Sequence, residues 1–225
     1  MTSTTTQPLV IFWHRRDLRL HDNAGLYHAL KSGYPVLPLF IYDRLILDPL
    51  EDRRDRRVEF IHKHVLQLQD ELVGMGSTLI ARYGRPIDVF RELIEQYDVK
   101  AVYTNYDFET YAKTRDLAVK DMLAENGIAF HDYKDQTIFD RDEVLTGAGK
   151  PYTVFGPYSR NWLGRLNDFY LKAYPTERYF GNFHRTAPLP MLTLAEMNFA
   201  PAGESYPEPT ISAELLRAYE AMRNI

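Results

Sequence analysis

The sequence predicts an α/β fold in which a five-stranded parallel sheet carries helices on both faces. Short apolar runs bounded by turn residues alternate with longer segments whose apolar residues recur every three or four positions. This alternation is typical of a doubly wound sheet, because each parallel connection needs a crossover segment. The chain has 225 residues, 45% of them hydrophobic, which is enough to bury the core of one such domain.

Three strand–helix pairs are predicted in the first part of the chain. The strands are expected at 9–13, 36–42 and 78–83, and the helices at 23–32, 55–75 and 87–97. The first helix has Asp22 or Asn23 as its cap. The second helix has the clearest pattern, because one face collects Val58, Ile61, Val65, Leu68 and Leu72.

The pattern changes in the second half of the chain. Strands at 99–104 and 128–133 flank a helix at 109–125, after which a helix at 157–171 belongs to an appendage folded on the sheet. Residues 174–209 are rich in proline, glycine and single aromatic residues, which is the composition of a linker or of a strap on another surface. A last helix at 211–223 has too few apolar residues to form a domain alone.

The composition excludes several classes of protein. The net charge of −4 does not fit a protein that coats nucleic acid generally, and the absence of cysteine excludes disulfides and thiolate metal sites. No apolar run reaches membrane-spanning length, and residues 1–8 lack the apolar core of a signal peptide, so a cytoplasmic protein is expected. Neither G-x-G-x-x-G nor a P-loop follows the first strand. No metal site is predicted.

The segment after the first strand is unusually basic. It contains three arginines within five residues: Arg15, Arg16 and Arg19. One interpretation is a charged loop whose arginines pair with Asp17 and Asp22. The position at the carboxyl end of a parallel strand favours the other interpretation, which is binding of an anion or a chromophore.

An acidic segment follows the fourth strand, at the same edge of the predicted sheet. Residues 105–111 read NYDFETY, and strand alternation places Asp107 and Glu109 on one side. Acidic residues at this position also stabilise the N-terminus of the following helix electrostatically. Taken alone, the segment is best explained by this structural role. Facing Arg16, however, they could hold a polar aromatic ligand through charge-assisted hydrogen bonds.

A third segment interleaves aromatic residues with small and basic ones. Residues 151–162 read PYTVFGPYSRNW. The pattern is compatible with a surface on which nucleobases stack. Packing of the appendage on the sheet, or against a further domain, is the preferred interpretation.

Together, these segments resemble the N-terminal region of the DNA photolyase/cryptochrome family. The matching pieces, in order, are 12–23 (FWHRRDLRLHDN), 106–116 and 149–158. The resemblance covers 8–172 and implies a Rossmann-like α/β domain that carries a light-harvesting antenna chromophore. It further implies an interdomain linker at 173–210 and, at 211–225, the start of a truncated helical FAD-binding domain.

The function implied by the resemblance is that of a deoxyribodipyrimidine photolyase, a carbon–carbon lyase of DNA repair. Such a flavoprotein uses light and FAD to split cyclobutane pyrimidine dimers in UV-damaged DNA. The FAD pocket belongs to the later helical domain, so this chain is expected to hold no catalytic residue and to be inactive alone. A cryptochrome photoreceptor and a free-standing nucleotide-binding module are the alternatives. The expected partners are UV-damaged DNA and the chain's own helical domain; a monomer without membrane contact is expected.

The resemblance also implies candidate antenna residues. Relatives that use methenyltetrahydrofolate carry Asn-Glu where this chain has Tyr111 and Ala112, which disfavours folate. Relatives that use 8-hydroxy-deazaflavin carry matches to Arg16, Phe40, Arg57, Asp107 and Glu109. Phe40 would stack on the ring, the arginines would stabilise an ionised hydroxyl or carbonyl, and the carboxylates would accept hydrogen bonds. Deazaflavin is therefore favoured, with FMN as the alternative at the same site.

Overall fold

The computed structural model describes residues 7–140, 142–203 and 212–223. Its sheet contains the five predicted strands: β1 (Leu9–His14), β2 (Val36–Asp43), β3 (Ile80–Gly84), β4 (Val99–Asn105) and β5 (Ala129–Tyr133). Every pair of neighbouring strands is parallel, in the order β3-β2-β1-β4-β5. The predicted parallel α/β fold is therefore confirmed.

The strand order creates a switch point between β1 and β4. The chain winds outward from β1 to β3, then returns and winds outward on the other side through β4 and β5. In open parallel sheets, ligands bind at such a point, beyond the carboxyl ends of the strands. The basic segment after β1 and the acidic segment after β4 both lie at this edge.

Helices cover both faces of the sheet. The helices of the described residues are α1 (Ala24–Leu30), α2 (Arg44–Leu47), α3 (Arg56–Gly74), α4 (Pro86–Gln96), α5 (Thr110–Glu125), α6 (Phe155–Arg165), α7 (Asp168–Leu171) and α8 (Ala213–Met222). Of these, α1 and α3 pack on one face and α4 and α5 on the other. Strand alternation assigns Val10 and Phe12 to a core with α1 and α3, and Ile11 and Trp13 to a core with α4 and α5. In the described residues, no helix is long and apolar enough to cross a membrane.

The structure decides one helix cap, corrects one predicted helix and adds a short helix that the sequence did not indicate. Asn23, rather than Asp22, caps α1, because its Oδ1 accepts from the amide of Leu26 at 3.0 Å. The expected single helix at 157–171 is instead two helices, because Leu166 and Asn167 adopt extended backbone angles. The short α2 was not predicted; it forms where Asp43 caps the amide of Leu45.

Residues 174–203 form a strap on the α/β domain. The strap contains two short 3-10 helices, Thr176–Asn182 and Ala195–Met197. It buries Phe183, Met197 and Phe199 in the core that also contains α1 and α3. The composition was compatible with either a linker or a strap, and residues 174–203 pack on the domain as a strap. The expected boundary at 210/211 lies outside the described residues.

Candidate functional site

The candidate site lies at the switch point, where the arginine loop (residues 15–19, after β1) meets the segment between β4 and α5. A buried polar network shapes this loop. Asp17 accepts from the backbone amide of Arg15 at 2.8 Å and from the side-chain amides of Asn105 and Asn23 at 2.5 and 3.1 Å. Asn105 also donates to Asn23 Oδ1 at 2.9 Å. Because these groups are buried and satisfy one another, the network fixes the path of the loop.

Arg15 points into the protein. Its guanidinium pairs with Asp116 of α5 at 2.5 Å and also donates to the backbone carbonyl of Asn105. Burial lowers the pKa of Arg15, and the neighbouring Asp116 opposes this shift. The pair joins β1 to α5 and keeps this arginine away from the open crevice.

Arg16 points outward and meets both acidic residues that the sequence singled out. Its Nε lies 2.9 Å from Asp107 Oδ2, and its Nη2 donates to Glu109. The Arg16 side chain is 55% exposed and that of Glu109 64% exposed, whereas Asp107 is buried. The hydrogen bond to Glu109 raises the pKa of Arg16. This cluster presents one guanidinium and two carboxylates at the mouth of the crevice.

Arg19 is held by an aspartate from the far side of the switch point. Its Nη2 donates to Asp135, after β5, at 2.8 Å and to the backbone carbonyl of Asp22 at 2.6 Å. Asp135 also accepts from the amide of Ala24, the first residue of α1, at 2.9 Å. Sequence reasoning missed Asp135, because nothing local distinguishes it from any other loop aspartate.

A second polar group lies on the α4 and α5 side of the crevice. The guanidiniums of Arg15 and Arg115 lie 5.2 and 4.8 Å from the ring centroid of Trp13. Tyr111 donates to Asp43 at 2.5 Å. Burial, reinforced by this hydrogen bond, raises the pKa of Tyr111 well above its ordinary value. The hydrogen bond between Tyr111 and Asp43 thus links α5 to the end of β2 on this side of the crevice.

The structure brings three of the five predicted antenna residues together. Arg16, Asp107 and Glu109 are in contact, as described above. Phe40 is only 6% exposed and packs edge-on against Tyr42, with 4.8 Å between ring centroids. Arg57 lies at the start of α3, where its guanidinium pairs with Asp55 at 2.6 Å.

Two cavities lie outside the Arg16 cluster. One of about 620 Å³ lies at the opposite edge of the sheet, between the ends of α4 and α5, and its lining includes Tyr97 and Ile128. The other, of about 440 Å³, lies beyond β4 and β5 and is lined by Tyr106, Lys134, Asp140, Asp142 and Glu143. The candidate site therefore rests on the contacts of Arg16 with Asp107 and Glu109 at the switch point.

The aromatic segment 151–162 is only partly packed. Trp162 contacts Phe139, with 5.4 Å between ring centroids, and Asn161 donates to the backbone carbonyl of Leu145 at 3.1 Å. Phe155 and Leu163 are exposed on the same helix, α6, which buries none of its residues. Packing of the appendage accounts for Trp162 but not for the outer face of α6.

Comparisons with known proteins agree on one family. A family model described as DNA photolyase matches residues 10–178. A deoxyribodipyrimidine photo-lyase from Synechococcus sp. is 34% identical over 217 residues, which cover 94% of this chain and 44% of the relative. The chain therefore spans less than half the length of that relative.

Solved structures show the same fold. A bacterial class III photolyase from Agrobacterium tumefaciens matches 99% of this chain and 42% of its own, with a TM-score of 0.72 and 22% identity. An archaeal photolyase from Sulfolobus tokodaii matches 58% of this chain and 30% of its own, with a TM-score of 0.53 and 36% identity. The archaeal protein was solved with two FAD molecules and is described as implying a novel light-harvesting cofactor.

Proposed function

The chain belongs to the DNA photolyase family, and from this premise we propose that it is the antenna-carrying α/β part of a deoxyribodipyrimidine photolyase. In the proposed whole protein, FAD and light drive the splitting of cyclobutane pyrimidine dimers in UV-damaged DNA. The similarity to the Synechococcus photolyase over 94% of this chain supports this assignment over a free-standing nucleotide-binding module. The FAD-binding domain would begin at α8, which exposes Leu215, Leu216 and Tyr219.

The observation that carries the antenna proposal is the contact of Arg16 with Asp107 and Glu109 at the switch point. A flat chromophore with carbonyl and N–H groups at its rim could exchange hydrogen bonds with such a cluster. The proposed ligand is 8-hydroxy-deazaflavin, which when bound would absorb light and pass the excitation energy to FAD. FMN is the alternative, and the two FAD molecules of the Sulfolobus relative favour a flavin as the second candidate.

The other two predicted antenna residues fit less directly. Phe40 is buried beside Tyr42, so stacking on a ligand would require its ring to become exposed, and Arg57 is exposed but paired with Asp55. Arg16 and Glu109 are already exposed at the switch point, and the buried Asp107 holds Arg16 there. We therefore assign the principal polar contacts to these three.

Binding measurements with the isolated chain test the antenna proposal. Asp107→Ala should weaken binding of 8-hydroxy-deazaflavin about tenfold, because one charge-assisted contact is lost. Titration followed by chromophore fluorescence would measure the Kd. Asp98→Ala is the matched control, because Asp98 lies before β4, at the opposite edge of the sheet, and pairs with Lys100.

A second variant distinguishes the loss of a ligand contact from a folding defect. Asp107 also accepts from the amide of Glu109 at 3.2 Å, so its loss could disturb the start of α5. Glu109→Gln keeps the size of an exposed side chain and removes only the charge. Unchanged Kd values in both variants would exclude this cluster as the chromophore site.

A further inference from the structure

The N-terminus of α1 is filled by the protein's own side chains. In doubly wound folds, the amides at the start of the first helix commonly bind a phosphate group. Here each of the first three amides already donates to a side-chain oxygen. Ala24 donates to Asp135 at 2.9 Å, Gly25 to Asn105 at 2.8 Å and Leu26 to Asn23 at 3.0 Å. A phosphate would therefore find no free amide there.

The cations at the same edge are also neutralised. The arginine loop, its direct partners and Arg115, which also pairs with Asp116, together hold four guanidiniums and five carboxylates. The guanidiniums are those of Arg15, Arg16, Arg19 and Arg115, and the carboxylates are those of Asp17, Asp107, Glu109, Asp116 and Asp135. Each of these arginines contacts a carboxylate, and the group as a whole carries excess negative charge. This excess disfavours the binding of a phosphate dianion in the crevice.

The N-termini of the neighbouring helices also disfavour binding of a phosphate at this edge. Two more helices begin with an aspartate that accepts from a backbone amide: Asp43 at α2 and Asp55 at α3. Just before α5, Asp107 accepts from the amide of Glu109. The remaining one at this edge, α4, begins with Pro86 and has Asp88 in its first turn. Proline offers no amide hydrogen, and the aspartate opposes a nearby anion.

We propose that this crevice selects a phosphate-free chromophore, and that Asn105, Glu109 and Asp135 determine this specificity. The preferred ligand class is a flavin-like ring whose ribityl chain ends in a hydroxyl, not in a phosphate or diphosphate. This inference rests on the proposed antenna function and narrows its ligand. The Sulfolobus relative, in contrast, was solved with two molecules of the diphosphate-containing FAD.

Riboflavin and FMN form a matched pair of probes, because they differ only by one phosphate. At low ionic strength the full chain should bind riboflavin about tenfold more tightly than FMN, as measured by quenching of flavin fluorescence. The preference should shrink toward unity in 1 M salt, where the screening length falls to about 3 Å. A structural effect of the phosphate's size would leave the preference unchanged by salt.

Two charge-removing variants locate the selectivity. Asp135→Asn retains an oxygen for the amide of Ala24, and Glu109→Gln changes an exposed side chain, so both should fold. Each should reduce the preference for riboflavin over FMN at least threefold. Glu71→Gln, on the exposed surface of α3, should leave it unchanged.

The outcomes separate this inference from the proposed function. FMN binding as tightly as riboflavin, or a preference unaltered in both variants, would overturn the inference and leave the antenna proposal intact. Absence of saturable binding for riboflavin, FMN and 8-hydroxy-deazaflavin alike would overturn both.

Discussion

Gly25 is the residue that allows α1 to lie close against the end of β4. An added Cβ would lie 2.7 Å from Asn105 Oδ1 and 2.9 Å from the backbone carbonyl oxygen of Thr104. The carbonyl belongs to a buried strand and cannot rotate away as a side chain could. The glycine therefore permits the hydrogen bond from its own amide to Asn105, which ties the start of α1 to the switch point.

Substitution of this glycine should destabilise the protein. We expect Gly25→Ala to lower the free energy of unfolding by about 1–3 kcal/mol, because the added methyl group overpacks the contact with β4. This cost outweighs the helix preference of alanine over glycine, which is about 1 kcal/mol in an open helix. Urea unfolding followed by circular dichroism would measure the change.

Gly74→Ala provides the matched control at the last residue of α3. No heavy atom of a non-neighbouring residue lies within 4 Å of an added Cβ there, so this variant should be as stable as the parent or more stable. A Gly25→Ala protein that matches the parent's stability would contradict the close contact between α1 and β4.

At the scale of elements, the strap was the least predictable part of the fold. Its buried residues, Thr176, Phe183, Met197 and Phe199, follow neither a two-residue nor a 3.6-residue period, so no pattern indicated which face they cover. The four-residue helix α2 was missed because it is one turn held by a cap. The break between α6 and α7 was missed because apolar residues continue through Leu166.

The strap should contribute to stability as a core element does. Met197 is fully buried, so Met197→Ala should cost about 2–5 kcal/mol of the free energy of unfolding. Leu171→Ala is the control, since this leucine is exposed and its loss should change stability by less than about 0.5 kcal/mol. If Met197→Ala cost no more than the control, the strap would not belong to the unit that unfolds with the sheet. Equilibrium urea titrations of both variants decide between these outcomes.

At the scale of the whole molecule, topology determined which site contacts could be predicted. Strand–helix alternation and right-handed crossovers put the carboxyl ends of β1 and β4 at the same edge of the sheet, so the sequence predicted that Arg16, Asp107 and Glu109 share this edge. Their direct contact depends on the observed pairing of β1 with β4. The side-chain environment of Phe40 did not follow, because it depends on the register His14↔Phe40 and on Tyr42 beside it. The contact of Asp135 with α1 required the complete backbone.

The division of labour in the proposed enzyme yields a prediction for the isolated chain. Loaded with 8-hydroxy-deazaflavin, it should absorb light and yet leave cyclobutane dimers in an oligonucleotide intact, because an antenna transfers excitation energy and the proposed electron donor, FAD, is held elsewhere. Its net charge of −4 also disfavours general electrostatic binding to DNA. Chromatography of the illuminated oligonucleotide would measure the remaining dimers, with the Synechococcus photolyase, which is about twice as long as the matched region, as the active control. Dimer splitting by this chain alone, at a rate near that of the control, would place a complete catalytic centre within these 225 residues and refute the division proposed above.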